Sequence, residues 1–220
     1  MHTRIKICCI ASEDEARMAI AAGIDALGFV GVWPPTPRTV PDTRIAEIAA
    51  QVPPPIETFL LTSETSAEAI SAHIRETGTT GVQIVHPINP EESARLAVLE
   101  RAVRRIQVIH VKGPGALDLI PVYAPHIDAF LLDSGRPNAR APVLGGTGEI
   151  HDWEVSAAFV AASPRPVFLA GGLTPDNVRD AMVQVQPFGV DLCTGVRTDG
   201  RLDPGKLTEF VAAVRNASTG

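Results

Sequence analysis

Eight apolar, strand-like segments alternate with helical patterns along the 220-residue chain, and this alternation limits the possible folds more than any other feature. Strict alternation of strands and helices produces parallel sheets joined by right-handed crossovers. Eight such units favour a closed α/β barrel, the (βα)8 or TIM barrel, over an open doubly wound sheet. No linker divides the units, so we predict a single domain over residues 1–220. The predicted strands are 5–10, 26–30, 56–61, 81–85, 106–111, 127–132, the segment ending at Ala170, and 188–192. The predicted helices begin after Ser12, span 42–51, 67–76, 91–101, 116–123 and 152–162, begin again at Thr174, and span 203–214.

Charge and apolar patterning exclude several classes of protein. A net charge of -6 argues against binding to nucleic acid, which requires a basic surface. No apolar run approaches the roughly 20 residues that cross a bilayer, and the first residues lead into a strand rather than a signal peptide. Three cysteines, two of them adjacent, do not form a disulfide framework. We therefore expect a cytoplasmic protein with reduced thiols and no membrane partner.

Glycine-rich turns follow three of the predicted strands. The strand that ends at Ala170 is followed by Gly171 and Gly172, and Thr174 is a candidate N-cap with Pro175 at the first helical position. Free backbone N–H groups ahead of a helix bind phosphate, although two glycines alone are more often a plain tight turn. Similar turns at 145–148 and 194–195 follow the sixth and eighth strands. Because loops after the last strands of a TIM barrel commonly hold phosphate, their convergence predicts a phosphate site.

The side chains that could perform chemistry lie at the ends of predicted strands, where TIM barrels carry their active sites. Cys8 ends the first strand and shares the inward-facing parity of Lys6; it is either a small buried side chain or a thiolate base. The alternation points Cys9 toward the helices, where it would only pack. Asp133 and Asp191 end apolar strands, where a carboxylate is costly unless it is paired or functional.

Two further residues are weaker candidates. Arg38, in the loop after the second strand, is either a solvated side chain or a fork for a carboxylate. His86 is the one histidine at a predicted strand end, and the histidines at 2, 73, 110, 126 and 151 lack metal-ligand spacing, so we predict no metal site. The loop from Ser134 to Val143 has few apolar anchors and lies beside Asp133, so we expect it to be mobile.

Several segments together resemble one enzyme family nearly from end to end. Taken one by one they are not specific, but the set is similar to the phosphoribosylanthranilate isomerases of tryptophan biosynthesis. The segments with this resemblance are Lys6-Ile7-Cys8-Cys9-Ile10, 22–30, Pro35-Thr36-Pro37-Arg38, Val82-Gln83-Ile84-Val85-His86, Leu131-Leu132-Asp133, Gly145-Gly146-Thr147-Gly148, Asp152-Trp153 and 170–195.

The resemblance implies a cofactor-free (βα)8 barrel that catalyses an Amadori rearrangement of a small phosphorylated substrate as a monomer or homodimer. It implies that Cys8 is the general base and Asp133 the general acid. Arg38 would hold the anthranilate carboxylate, and Asp191 would lie near the anthranilate amino group. His86 would be a further substrate contact. The implied phosphate ligands are Gly146, Gly148, Gly171, Gly172, Thr194 and Gly195.

The chain also departs from the family pattern near the expected site. Cys9 replaces the glycine after the catalytic cysteine, and His86 lies one residue late. The segment 193–197, Cys-Thr-Gly-Val-Arg, replaces Ser-Ser-Gly-Val-Glu, and the proline-rich loop at 33–38 lacks one spacer. Two alternatives therefore stay open. One is a paralogue that acts on a different phosphorylated sugar or aryl-amine adduct, and the other is a non-catalytic barrel that binds a phosphorylated ligand.

Overall fold

The computed structural model describes residues 2–31, 38–134 and 152–217. Eight parallel strands pair in chain order, and the eighth pairs with the first to close a barrel, so the predicted TIM barrel is confirmed. The strands are β1 Arg4–Ile7, β2 Ala26–Val30, β3 Glu57–Thr62, β4 Gly81–Ile84, β5 Arg104–His110, β6 Ala129–Asp133, β7 Val167–Leu169 and β8 Gly189–Leu192. The helices are α1 Glu13–Ala21, α2 Asp42–Ala49, α3 Ala67–Thr77, α4 Pro90–Leu99, α5 Ile120–Tyr123, α6 Trp153–Ala162, α7 Val178–Val185 and α8 Pro204–Ala217.

Both faces of the sheet are buried, which explains why the strands are apolar throughout rather than alternating in polarity. Outward-facing side chains pack against the helices in a large core that includes Ile5, Ile7 and Leu27. Inward-facing side chains form a separate cluster that fills the barrel: Ala26, Phe59, Ile106, Val108, Ala129, Leu131, Phe168 and Ala170. Lys6 and Asp191 are register partners on β1 and β8 at the closure of the barrel. The barrel interior is therefore packed with apolar side chains around the Lys6–Asp191 pair.

The start of α7 differs from the sequence prediction. Thr174 was predicted as the N-cap, but the helix begins at Val178 and residues 175–177 form a turn. Asn177 closes this turn, because its Oδ1 accepts a hydrogen bond from the Thr174 N–H at 2.8 Å and its Nδ2 donates to the Gly172 carbonyl at 2.9 Å. The asparagine side chain thus stabilises the turn before α7, and the helix itself has no side-chain cap. The two glycines open a fixed turn rather than a helix.

Two local features were not predicted. After β8, a short 3-10 helix, Thr194–Val196, leads into a hairpin of two-residue strands, β9 Arg197–Thr198 and β10 Arg201–Leu202. The helix predicted at 116–123 is divided between a 3-10 helix, Pro114–Leu119, and α5. Ser12 caps α1 as predicted. No helix within the three described ranges is long and apolar enough to cross a bilayer.

Candidate active site at the carboxyl ends of the strands

A fully buried ion pair lies at the closure of the barrel. The Nζ of Lys6 is 2.9 Å from Oδ1 of Asp191, and the two side chains are 0% and 6% exposed. Burial disfavours the Lys6 ammonium, but attraction to Asp191 and to Cys8 outweighs this effect and raises its pKa. Lys6 therefore stays charged inside the barrel and supplies a fixed positive charge next to the predicted site.

Cys8 follows β1 and faces the same interior space as Lys6. A Cβ built on Gly28 of β2 would lie 3.0 Å from both the Cys8 Sγ and the Lys6 Nζ. Any side chain at position 28 would therefore push into both groups. Because Gly28 has no side chain, the Cys8 thiol and the Lys6 ammonium occupy the same space beside it. The positive charge of Lys6 therefore lies next to the predicted base.

Asp133 ends β6 and is 8% exposed. Burial raises the pKa of its carboxyl to about 6, and the negative charge of Asp191 adds to this effect. A hydrogen bond from the Ser134 N–H at 2.7 Å and the charge of Lys6 act in the opposite direction. A carboxyl with this pKa is partly protonated near neutral pH, which suits a general acid.

The glycine loops after β7 and β8 are packed against each other. Gly171 and Gly172 have φ angles of 84° and 65°, in the left-handed region that favours glycine. A Cβ on Gly195 would lie 2.0 Å from the Leu173 carbonyl oxygen, so only glycine permits this approach. Thr194 is the first residue of the short 3-10 helix between these loops and the hairpin. The two other predicted phosphate ligands, Gly146 and Gly148, lie outside the described residues.

The remaining predicted contacts lie around the rim. Arg38 is partly buried, and its charge contributes to lowering the pKa of the Cys193 thiol, so it lies near the end of β8. His86 is two residues beyond β4, where burial lowers its pKa. A cavity of about 440 Å³ at the end of β5 includes His110 in its lining but neither Cys8 nor Asp133. Apart from Ser134, the loop predicted to be mobile lies outside the described residues.

Cys9 is buried, as expected for a packing residue, but its φ angle of 62° is left-handed, and the side chains of Cys193 and Cys8 raise the pKa of its thiol. Arg197, whose role the sequence did not indicate, donates to the Cys9 carbonyl at 2.6 Å and to Glu15 at 2.9 Å. Strand alternation could not reveal this arrangement, because a left-handed residue breaks the alternation. In the sequence, the departures of Cys193 and Arg197 from the family pattern indicated that this region is unusual.

Comparison with known proteins identifies the family of this chain. The family model described as N-(5'phosphoribosyl)anthranilate (PRA) isomerase matches residues 5–213. The chain belongs to this family. It is 37% identical to a Haloferax volcanii protein named N-(5'-phosphoribosyl)anthranilate isomerase, over 98% of this chain and 94% of that protein. It is 35% identical to N-(5'-phosphoribosyl)anthranilate isomerase 2 of Methanosarcina mazei, over 97% of this chain and 94% of the relative.

A solved structure from the same family has the same fold. The crystal structure of phosphoribosyl anthranilate isomerase from Thermus thermophilus superposes with a TM-score of 0.82 at 27% identity, over 99% of this chain and all of that one. The chain is thus an isomerase of this family. Among the residues that the structure describes, no group of histidine, cysteine, aspartate and glutamate side chains is arranged to hold a metal ion.

Proposed function

We propose that the protein converts N-(5-phosphoribosyl)anthranilate to 1-(2-carboxyphenylamino)-1-deoxyribulose 5-phosphate, a step of tryptophan biosynthesis. Family membership over residues 5–213 supports the reaction. The observation that carries the assignment of roles is the buried carboxyl of Asp133, whose pKa is raised to about 6 at the strand ends that also carry Cys8. An Amadori rearrangement needs an acid at the ring oxygen and a base at C2′, and these two side chains provide them.

Asp133 acts first, as the general acid. It gives its proton to the furanose ring oxygen while the bond between that oxygen and C1′ breaks, leaving a protonated Schiff base between C1′ and the anthranilate nitrogen. The Asp133 carboxylate that results is the charged form that burial disfavours. The buried site therefore keeps the Asp133 carboxyl protonated until it gives its proton to the substrate. Substrate binding also excludes water from the site.

Cys8 acts second, as the general base. In its thiolate form it removes the proton from C2′, and the electron pair of that bond forms the C1′–C2′ double bond while the Schiff-base nitrogen becomes neutral. The resulting enolamine then tautomerises to the ketose. The Lys6 ammonium shares the gap beside Gly28 with the thiol, so a fixed positive charge lies next to the base.

Other groups hold the substrate in position. Backbone N–H groups of Gly171, Gly172 and Gly195, with Thr194, bind the phosphate, and the close packing of Gly195 on Leu173 supports a shared anion site between the two loops. Gly146 and Gly148 remain predicted ligands. Asp191 faces the anthranilate amino group, Arg38 its carboxylate, and His86 is a further contact at the rim.

Turnover by the purified protein tests the proposal. Phosphoribosylanthranilate is fluorescent in its anthranilate ring, so conversion is followed as a change in fluorescence, and the product is identified by mass and by chemical reduction. Saturable conversion to the deoxyribulose phosphate is the expected result. A folded protein that leaves this substrate unchanged but isomerises a related adduct without the ring carboxylate would favour the paralogue instead.

A matched pair of variants separates catalysis from binding. Cys8→Ser and Asp133→Asn are expected to lose turnover by about 10²–10⁴-fold each, the usual contribution of a positioned acid or base, while they keep affinity for the reduced product analogue. If both variants turned over substrate like the unmodified protein, neither side chain would be catalytic. The non-catalytic alternative predicts binding with no turnover in any of the three proteins.

A further inference from the structure

All three cysteines of the chain are free thiols that directly follow the paired strands β1 and β8, although the proposed isomerisation uses only Cys8. The two strands run in register through Ile7 and Leu192, and the Cys8 N–H donates to the Leu192 carbonyl at 2.9 Å. This register brings Cys193 alongside the residues that follow β1. The side chains of Cys193 and Cys8 both raise the pKa of the Cys9 thiol, and Cys9 in turn lowers the pKa of the Cys193 thiol. Two thiols therefore lie close to each other without a role in the reaction.

The backbone turns Cys9 toward Cys193. Its φ angle of 62° is left-handed, a conformation that is strained for a residue with a Cβ and that glycine adopts freely. Strand alternation alone would point this side chain at the helices. Arg197 stabilises the turn by donating to the Cys9 carbonyl at 2.6 Å. The left-handed turn thus brings the Cys9 side chain near Cys193 instead of following the strand alternation.

The charges around the pair distinguish its two sulfurs. The hydrogen bond from Cys9, followed by the positive charges of Arg38 and Arg197, lowers the pKa of the Cys193 thiol to about 7. The same hydrogen bond, with burial, raises the pKa of Cys9. Arg197 is held in place by an ion pair with Glu15, and its side chain is only 7% exposed. Cys193 is partly exposed and Cys9 is buried, so the sulfur that ionises more readily is also the accessible one.

We propose that Cys9 and Cys193 form a peroxide-reactive dithiol site, with Cys193 as the attacking thiolate and Cys9 as the thiol that resolves it. Reactive cysteines have this environment, with nearby cations and partial exposure. The oxidant is hydrogen peroxide from solution. This assignment needs neither Cys8 nor a substrate, so it stands apart from the proposed isomerisation.

The reaction proceeds in two displacements. The Cys193 thiolate attacks one oxygen of the peroxide, an S–O bond forms as the O–O bond breaks, and the departing hydroxide takes a proton to become water. The Cys9 thiol then attacks the sulfur of this sulfenic acid: its sulfur forms the S–S bond, its proton passes to the departing oxygen, and the S–O bond breaks with loss of a second water. Two thiols are oxidised by two electrons in total, and one peroxide is reduced to two waters.

Thiol counting and peptide mapping test the site on the intact, folded chain. Treatment with hydrogen peroxide near pH 7, with no substrate present, is expected to remove two of the three free thiols and to leave Cys8 reduced. The product is a single chain that is lighter by two hydrogen atoms, with Cys9 and Cys193 in one disulfide-linked peptide pair. Dithiothreitol restores all three thiols. Cys8→Ser is the matched control and is expected to lose both of its remaining thiols under the same treatment.

Two further variants assign the roles. In Cys9→Gly, which suits the left-handed backbone and is expected to fold, Cys193 gains oxygen without forming a bridge. In Cys193→Ser, both remaining thiols stay reduced. Retention of three thiols under conditions that oxidise glutathione, a bridge that includes Cys8, or bridges only between chains would overturn the proposal. Should Cys193→Ser fail to fold, an unoxidised Cys193 in folded Cys9→Gly would overturn it equally.

Discussion

Replacing Asp133 by asparagine is expected to make the protein more stable at neutral and alkaline pH while removing its activity. Burial raises the pKa of this carboxyl from 3.8 to about 6, so the folded protein holds the proton more tightly than the unfolded chain does. At about 1.4 kcal/mol per pKa unit, the ionised form costs the folded state about 3 kcal/mol once the pH is well above 6. Below the unfolded value this cost disappears. Asparagine keeps an oxygen for the Ser134 N–H and does not ionise.

Equilibrium unfolding in urea at several pH values measures this cost. The free energy of unfolding of Asp133→Asn relative to the unmodified protein is expected to rise by about 1.4 kcal/mol between pH 5 and pH 8, since most of the cost appears between the two pKa values. The comparison cancels every other titrating group that the substitution leaves unchanged. A difference that stays constant or falls over this range would refute the assigned pKa, and with it the account of Asp133 as a buried acid.

Three further substitutions test other parts of the structure. Cys9→Gly is expected to raise the free energy of unfolding by about 1 kcal/mol in thermal melts, because it relieves a left-handed residue, whereas Cys9→Ala is expected to give no such gain. Gly195→Ala is expected to weaken phosphate binding, measured by calorimetry, by at least about tenfold, because the added Cβ would lie 2.0 Å from the Leu173 carbonyl oxygen. Gly115→Ala is the control, because the space around Gly115 is open and its affinity is expected not to change. Equal affinity in both alanine variants would contradict the close packing of the loops. Lys6→Met is expected to lower the free energy of unfolding by about 3–5 kcal/mol, because it leaves Asp191 buried and unpaired. Adding Asp191→Asn to this variant is expected to recover much of that loss. If the double variant is no more stable than Lys6→Met, the pair does not act as a unit.

The barrel could be predicted from the sequence because its order depends on a pattern that repeats along the whole chain. Each strand is apolar on both faces and is followed by a helical pattern, so the strand ends that carry Cys8, Asp133 and Asp191 follow from counting units. Errors at element ends were local. Thr174 has the right chemistry for a cap, but Asn177 bonds the Thr174 N–H and the Gly172 carbonyl and delays the helix by one turn.

Contacts between distant segments could not be predicted in the same way. The pairing of Lys6 with Asp191 depends on the register between the first and last strands, which a sequence pattern does not contain. The hairpin after β8 has strands of two residues, too short for any period to be visible. The turn at Cys9 requires a backbone conformation that is uncommon for residues other than glycine. The resemblance identified position 9 as unusual, but only the structure places its thiol against Cys193.

The fate of the C2′ hydrogen tests the central claim most directly. Phosphoribosylanthranilate carrying deuterium at C2′ is mixed with excess protein in single-turnover experiments, and cleavage of the carbon–deuterium bond is followed by mass spectrometry. The account predicts a primary isotope effect in the unmodified protein. It also predicts that Cys8→Ser cleaves this bond at least about 10²-fold more slowly, with unchanged affinity for the reduced product analogue. Cleavage by Cys8→Ser at the rate of the unmodified protein would contradict the role of Cys8 as the base.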